Sequence, residues 1–190
     1  MGLIPLASQT AGPFFHLGCT DHRSVASLVT EKTRGRRIRL ICRVLDGAGA
    51  PVPDAMIEIW QADAEGNYPH PHDSQRKDSD PFFHGFGRLA TDEHGVCVFE
   101  TIKPGQVPAN DGGLQASHIN VSVFARGILK RLATRIYFAG DLELQNDPVL
   151  ALVPSDRRDT LLARADNSRA GEWHFDIHLC GERETVFFDI

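Results

Sequence analysis

The sequence predicts an all-β protein: a single-domain β-sandwich with long loops, an N-terminal arm and one short helix. Three observations lead there. Short segments alternate apolar and polar residues with period two, the pattern of strands that bury one face. Seventeen glycines and eleven prolines are spread along the chain and punctuate those segments with turns. Only one stretch reads as a good helix, and 190 residues suit one domain that buries roughly 70% of its unfolded surface. No internal repeat or domain boundary interrupts the pattern.

Residues 1–35 show no clean strand period. Ser8-Gln9-Thr10-Ala11-Gly12-Pro13-Phe14-Phe15 joins small residues to two aromatics, an arm that needs its own domain or a partner to pack on. Residues 24–30 read as a short helix. Residues 36–46 alternate, with Ile38, Leu40, Cys42 and Val44 on one face, and Asp46-Gly47-Ala48-Gly49 turns the chain. Residues 55–61 form the next strand; after the turn Ala64-Glu65-Gly66-Asn67 comes Tyr68, then a polar loop at 69–81. Residues 87–91 and 96–101 flank Asp92-Glu93-His94-Gly95 and read as a hairpin.

Residues 116–124 form a half-buried strand that sets His118 and Asn120 side by side, because residues i and i+2 share a face. Residues 132–138 follow, with Arg135 and Tyr137 on one face and Ile136 and Phe138 on the other. The helix is expected at 156–165, where acids in the first turn suit the macrodipole. Residues 173–179 and 185–189 close the chain as strands.

The net charge of −5 argues against nucleic acid as a partner. The one basic cluster, Lys32, Arg34, Arg36, Arg37 and Arg39, has no interleaved aromatics and reads as a solvated strand entry or a contact with an acidic neighbour. No apolar run approaches the roughly 18 residues that span a bilayer, so no membrane role is expected. Residues 1–6 lack the basic start and apolar core of a signal peptide. Cys19, Cys42, Cys97 and Cys180 are widely spaced without a C-x-x-C pair, so reduced thiols and a cytoplasmic location are expected.

Hydrolase and nucleotide motifs are absent: there is no G-x-S-x-G elbow and no glycine-rich loop between a strand and a helix. Among the histidines, His70 and His72 fall in a loop. His174 and His178 share a solvated strand face with Asp176, while His16, His22, His84 and His94 stand alone. Tyr68 and His118 remain. A phenolate oxygen and an imidazole nitrogen suit ferric iron, but two ligands do not hold a mononuclear ion and the Asn120 amide is a weak third. On these residues alone, Tyr68 reads as a packed aromatic and His118 as a hydrogen-bonded core histidine.

A longer pattern gives more. Asp46-Gly47-x-Gly49-x-Pro51-Val52-x-x-Ala55-x-Ile57-Glu58-Ile59-Trp60-Gln61-Ala62-Asp63-Ala64-x-Gly66-x-Tyr68 resembles the core motif of the intradiol ring-cleaving dioxygenases. Phe86-Gly87-Arg88, Thr101-Ile102-Lys103-Pro104-Gly105, His118-Ile119 and Tyr137-Phe138 continue the match in order, over nearly the whole chain. The resemblance implies non-haem Fe(III) held by two tyrosines and two histidines. Tyr68 and His118 match one of each; the other tyrosine falls on Val107 and the other histidine on Asn120. Half the ligand set is missing, so no metal is expected on this chain and the four positions are vestigial.

Some members of that family pair an iron-free α chain with a homologous β chain that carries the Fe(III). Thr10-Ala11-Gly12-Pro13, His118-Ile119-Asn120, Phe124-Ala125-Arg126-Gly127 and Glu184-Thr185-Val186-Phe187-Phe188-Asp189 resemble the α chain. That likeness implies an active site at the α/β interface of a larger oligomer, where a small aromatic substrate, a carboxylated catechol, meets O2. Thr10, Gly12, Pro13 and Arg126 would line the substrate pocket, and Arg126 would be the catalytic charge. Residues 1–35 are then an arm packing on the partner, and residues 36–190 the sandwich. The rival readings are a self-sufficient intradiol dioxygenase with unusual ligands and a non-enzymatic binding or scaffold module of transthyretin-like shape.

Overall fold

Where apolar and polar residues alternate, the chain pairs into strands. The computed structural model describes residues 7–12, 15, 17–21, 23–70, 79–109 and 112–189. Within them lie β1 (Arg37–Leu45), β2 (Met56–Gln61), β3 (Phe86–Ala90), β4 (Val96–Ile102), β5 (Val107–Pro108), β6 (Leu114–Gln115), β7 (His118–Phe124), β8 (Leu132–Phe138), β9 (Leu162–Ala165) and β10 (Glu172–His178). Eight of them join edge to edge in the order β3-β2-β7-β8-β9-β10-β1-β4, while β5 and β6 form a separate two-stranded ribbon.

Strand β9 folds this long sheet into two layers. Its first half runs parallel to β8 (Tyr137 beside Leu162, Phe138 beside Ala163), and its second half pairs with β10 (Ala165 beside Trp173, Arg164 beside His174). A strand shared by two sheets makes the corner of a sandwich. Between the layers lie Leu40, Cys42 and Val44 of β1, Ile57 and Ile59 of β2, Phe99 of β4, Ile119, Val121 and Val123 of β7, and Phe175 and Ile177 of β10. Phe138 and Trp173 meet edge to face across this core at 5.0 Å. The four residues expected on the inner face of β1 are all buried there. The outer face of β1 carries ion pairs instead, Arg39 to Glu172 at 2.9 Å and Arg43 to Asp176 at 2.7 Å; Arg39, and Arg34 at 3.5 Å from Glu65, are the members of the basic cluster that meet an acidic neighbour.

Four expectations need correction. Residues 24–30 are not a helix. Val25 exchanges backbone hydrogen bonds with Arg88 of β3, and two residues on, Glu100 of β4 donates to Ala26 and Leu28 donates to Glu100. This extended segment covers the edges of the two terminal strands and inserts fully buried Leu28 into the core. Residues 156–165 hold only a 3-10 helix at Arg158–Leu161 before β9 begins, since strand pairing at the corner outcompetes helix propensity.

The turn at residues 92–95 forms, but β3 and β4 are not a hairpin. β3 pairs with β2 and β4 with β1, on opposite layers. Finally, residues 185–189 contribute a single bridge, Phe188 to Ala133, rather than a strand. No helix among the described residues is long and apolar enough to cross a membrane.

Candidate functional site

The outer face of β3, β2, β7 and β8 carries a grid of side chains that register alone dictates. Phe86, Trp60, Asn120 and Arg135 stand in one row across the four strands. One row over stand Arg88, Glu58, Ser122 and Ala133. His118 and Tyr137 form the row on the other side, with ring centroids 5.9 Å apart. Opposed side chains of antiparallel strands lie within contact distance, so this face can act as one site.

Tyr68 reaches the grid from the loop after β2. That loop is held by Asp63, fully buried, whose Oδ1 accepts from the amides of Glu65 and Asn67 (3.0 and 2.9 Å) and whose Oδ2 accepts from Asp80 (2.8 Å). Gly66 turns the chain with φ +90°, and a Cβ there would sit 1.9 Å from the Gln106 carbonyl oxygen, so only glycine fits. The same close approach brings the segment leading into Val107 beside the Tyr68 loop. The Tyr68 ring then stacks on Trp60 (5.7 Å, 16°), and its oxygen accepts from Asn120 Nδ2 at 3.3 Å.

His118 is buried at the start of β7, with Nδ1 bonded to the Ala116 carbonyl at 2.8 Å. Burial, reinforced by the charge of Arg135, pushes its imidazole down to about 4, so the ring is neutral at physiological pH. Across from it, Tyr137 donates to Asp147 Oδ1 at 3.0 Å, and burial pushes its phenol well up. Asp147 is itself buried and also accepts from the amides of Ala116, Val149 and Leu150 at 2.7–3.0 Å, which fixes the entry to β7. Arg135 Nη1 donates to Gln115 Oε1 at 2.8 Å and to the Tyr137 oxygen at 3.4 Å. Gln115 is the cross-strand neighbour of Val107 in the β5–β6 ribbon.

Tyr68, His118 and Asn120 share this face and Val107 lies on the ribbon beside it, but the four residues do not fit a ferric ion. Val107 has no donor atom and is buried as an apolar residue. Asn120 turns its amide nitrogen toward the Tyr68 oxygen, and a nitrogen carrying protons does not ligate a cation. The Arg135 guanidinium stands opposite Asn120 in register, placing a fixed positive charge where a metal would need negative ones.

The residues expected to line a substrate pocket gather elsewhere, at the end of β7. Thr10 Oγ1 accepts from the Gly127 amide at 2.7 Å, pinning the arm to the turn that bears Arg126. Phe15 packs on Phe124, with centroids 5.5 Å apart. A Cβ on Gly12 would meet no described atom within 4 Å, so the chain's own packing does not demand glycine there. Arg126 itself is 71% exposed and only loosely paired, 3.9 Å from Asp54 Oδ2. Thr10, Gly12 and Arg126 thus share one surface; Pro13 lies outside the described residues, as do His16, His22 and His72.

The other histidines stay apart from both places. His84 and His94 are exposed, and His70 meets the edge of Trp60 at 6.3 Å. His174 Nε2 lies 3.3 Å from Asp166 on the outer face of β10, away from the core, where the apolar alternation put it. Arg135, Trp60 and Asp147 were not among the expected site residues. A signal for Arg135 did exist, since an arginine two residues from a tyrosine on the polar face of a strand is placed beside whatever its neighbour presents.

A family model described as dioxygenase matches residues 10–181. The protocatechuate 3,4-dioxygenase alpha chain of Burkholderia cepacia is 39% identical over 196 residues, covering 96% of this chain and 96% of that one. The beta chain from the same organism is 38% identical over 177 residues, covering 89% and 75%. Among solved structures, the dioxygenase domain of a dioxygenase carbohydrate-binding protein fusion from Streptomyces sp. SirexAA-E superposes with a TM-score of 0.62 at 25% identity, over 96% of this chain and all of that domain. Matches of this length and identity make the chain a member of the dioxygenase family, in its intradiol ring-cleaving branch.

Proposed function

We propose that this chain is the alpha subunit of a cytoplasmic protocatechuate 3,4-dioxygenase, which opens protocatechuate with O2 between its two hydroxylated carbons to give 3-carboxy-cis,cis-muconate. One observation carries the proposal. The chain matches an alpha chain over 96% of its length at 39% identity, yet it has valine and asparagine at two of the four ligand positions. The Fe(III) that activates the diol toward O2 belongs to a homologous beta chain, which this chain completes.

The contribution of this chain is a pocket wall and a charge. Residues 25–29 of the arm are stitched to their own sheet, which leaves Thr10 and Gly12, earlier in the arm, as the part offered to the partner. Protocatechuate brings a carboxylate and two phenolic oxygens, and confining that charge away from water is costly. The Arg126 guanidinium, extended from a turn that Thr10 holds, offsets the charge and orients polar groups as the ring opens. Gly12 allows the backbone itself to approach the substrate.

Expression of the chain alone and together with a beta chain tests this reading. Alone it should be colourless, iron-free and inactive; together the two should be coloured, iron-loaded and active on protocatechuate. Iron-dependent turnover by the isolated chain would sink the proposal. Inactivity beside a beta chain that has bound iron would assign a scaffold role instead.

A further inference from the structure

The abandoned metal face is not an empty surface. A cavity of about 510 Å³ opens over the outer side of β2, β7 and β8, lined by Glu58, Trp60, Phe86, Asn120, Arg131 and Arg135 among others. Its size is that of a small-molecule site. The charges around it are unequal. Glu58 is the one carboxylate on the lining, and Arg88 already holds it, with Nε 2.7 Å from Oε1. Asp147, behind Tyr137, is saturated by four donors. Arg131 and Arg135 have no carboxylate partner among the described residues.

Arg135 is also presented as a recognition group. Its Nη1 is anchored by the uncharged oxygens of Gln115 and Tyr137, which fix the plane of the guanidinium. The Nε and Nη2 donors have no hydrogen-bond partner among the described residues, and a carboxylate accepts from such a pair in two parallel bonds. Beside it, Trp60 and Phe86 offer an aromatic floor, with Trp60 steadied by its stack on Tyr68. An inorganic anion would leave that floor and most of the cavity unused.

We propose that this pocket is a binding site for a small aromatic carboxylate, gripped at its carboxylate by Arg135 and laid against Trp60 and Phe86. With valine and asparagine at two of the ligand positions and the Arg135 guanidinium opposite Asn120, this face is suited to an anion rather than a cation. No metal takes part, and the site is separate from the wall formed by Thr10, Gly12 and Arg126.

Isothermal titration of the full chain with benzoate, benzamide and inorganic phosphate tests the proposal. Benzoate should bind with one equivalent per chain. Benzamide, which keeps the ring and lacks the charge, and phosphate, which keeps charge and lacks the ring, should each bind about tenfold or more weakly. Arg135→Gln should abolish that equivalent, Arg135→Lys should retain part of it, and Arg164→Gln, on the far surface, should leave it intact. Thermal unfolding of each variant separates lost binding from lost folding. If the chain is titrated in complex with a partner, Arg135→Gln should remove one equivalent per chain from the total. An unchanged stoichiometry in Arg135→Gln, or phosphate binding as tightly as benzoate, overturns the assignment.

Discussion

Restoring the two missing ligands should not restore the metal. The perturbation is Val107→Tyr with Asn120→His, compared with the same pair plus Arg135→Gln. His118 is already prepared as a ligand: Nδ1 is spent on the Ala116 carbonyl, and the ring is neutral with Nε2 presented. Arg135 is the obstacle, because it stands directly opposite position 120. Opposed side chains lie about 5 Å apart at Cβ, so the guanidinium would sit roughly 6 Å from an ion; at an effective dielectric of about 20, each unit of charge then costs about 3 kcal/mol, or roughly 100-fold in affinity. A ferric ion bound by two phenolates keeps one net positive charge, so the triple variant should bind iron about 100-fold more tightly than the double. Iron per chain, measured after dialysis, and the visible phenolate-to-iron absorption read the difference. Val107 is buried, so the added ring will overpack by about 1–3 kcal/mol in both variants, and equal thermal stability of the two is the necessary control. Equal iron affinity in the double and triple variants would refute the charge assignment.

Three further outcomes follow from the geometry. Arg126→Ala should leave assembly with the beta chain and iron content unchanged while kcat/KM on protocatechuate falls about tenfold or more; failure to assemble would make the exposed arginine structural. Asp147→Ala strands four donors, three of them backbone amides, and should cost at least about 3 kcal/mol in urea unfolding, whereas a loss under about 1 kcal/mol would contradict its place at the hub. The folded-state value of His118 lies below its ordinary 6.5, so its contribution is fully present above pH 6.5 and is lost as pH falls through about 4. Over that window stability should drop by up to about 3 kcal/mol, and His118→Gln should flatten the slope of stability against pH, whatever its absolute stability.

Alternation made β1, β2, β4, β7, β8 and β10 legible, because each buries one face and keeps the other in water. What escaped depended on distant partners. Residues 24–30 extend because two sheet edges are there to be covered, and nothing local in Ser-Val-Ala-Ser-Leu-Val-Thr states that. At residues 158–165, Leu161 and Ala163 are buried on a period of two, a strand signal that the acidic, helix-like opening at 156–159 masked. The turn at 92–95 was visible, but which sheet each flanking strand joins is set by β1 and β2. For the site, the spacing of His118 and Asn120 was readable within one strand. The approach of Arg135, Gln115 and Asp147 was not, since it crosses three elements.

Period two also explains how the outer face of this sheet can change without disturbing the fold. In β7, Ile119, Val121 and Val123 are at most 2% exposed and carry the packing between the layers, while His118, Asn120 and Ser122 point the other way. The outer face and the core are thus written on alternate residues of the same strand, and substitutions on one leave the other's contacts intact. Tyr68 and Val107 sit outside the sandwich layers, on a loop secured by Asp63 and on a two-stranded ribbon, so their replacement is equally local. The polar groups of this face find their partners within the grid: Asn120 donates to Tyr68, and Arg135 to Gln115 and Tyr137. Substitutions confined to that face keep every strand that presents Thr10 and Arg126 at the surface.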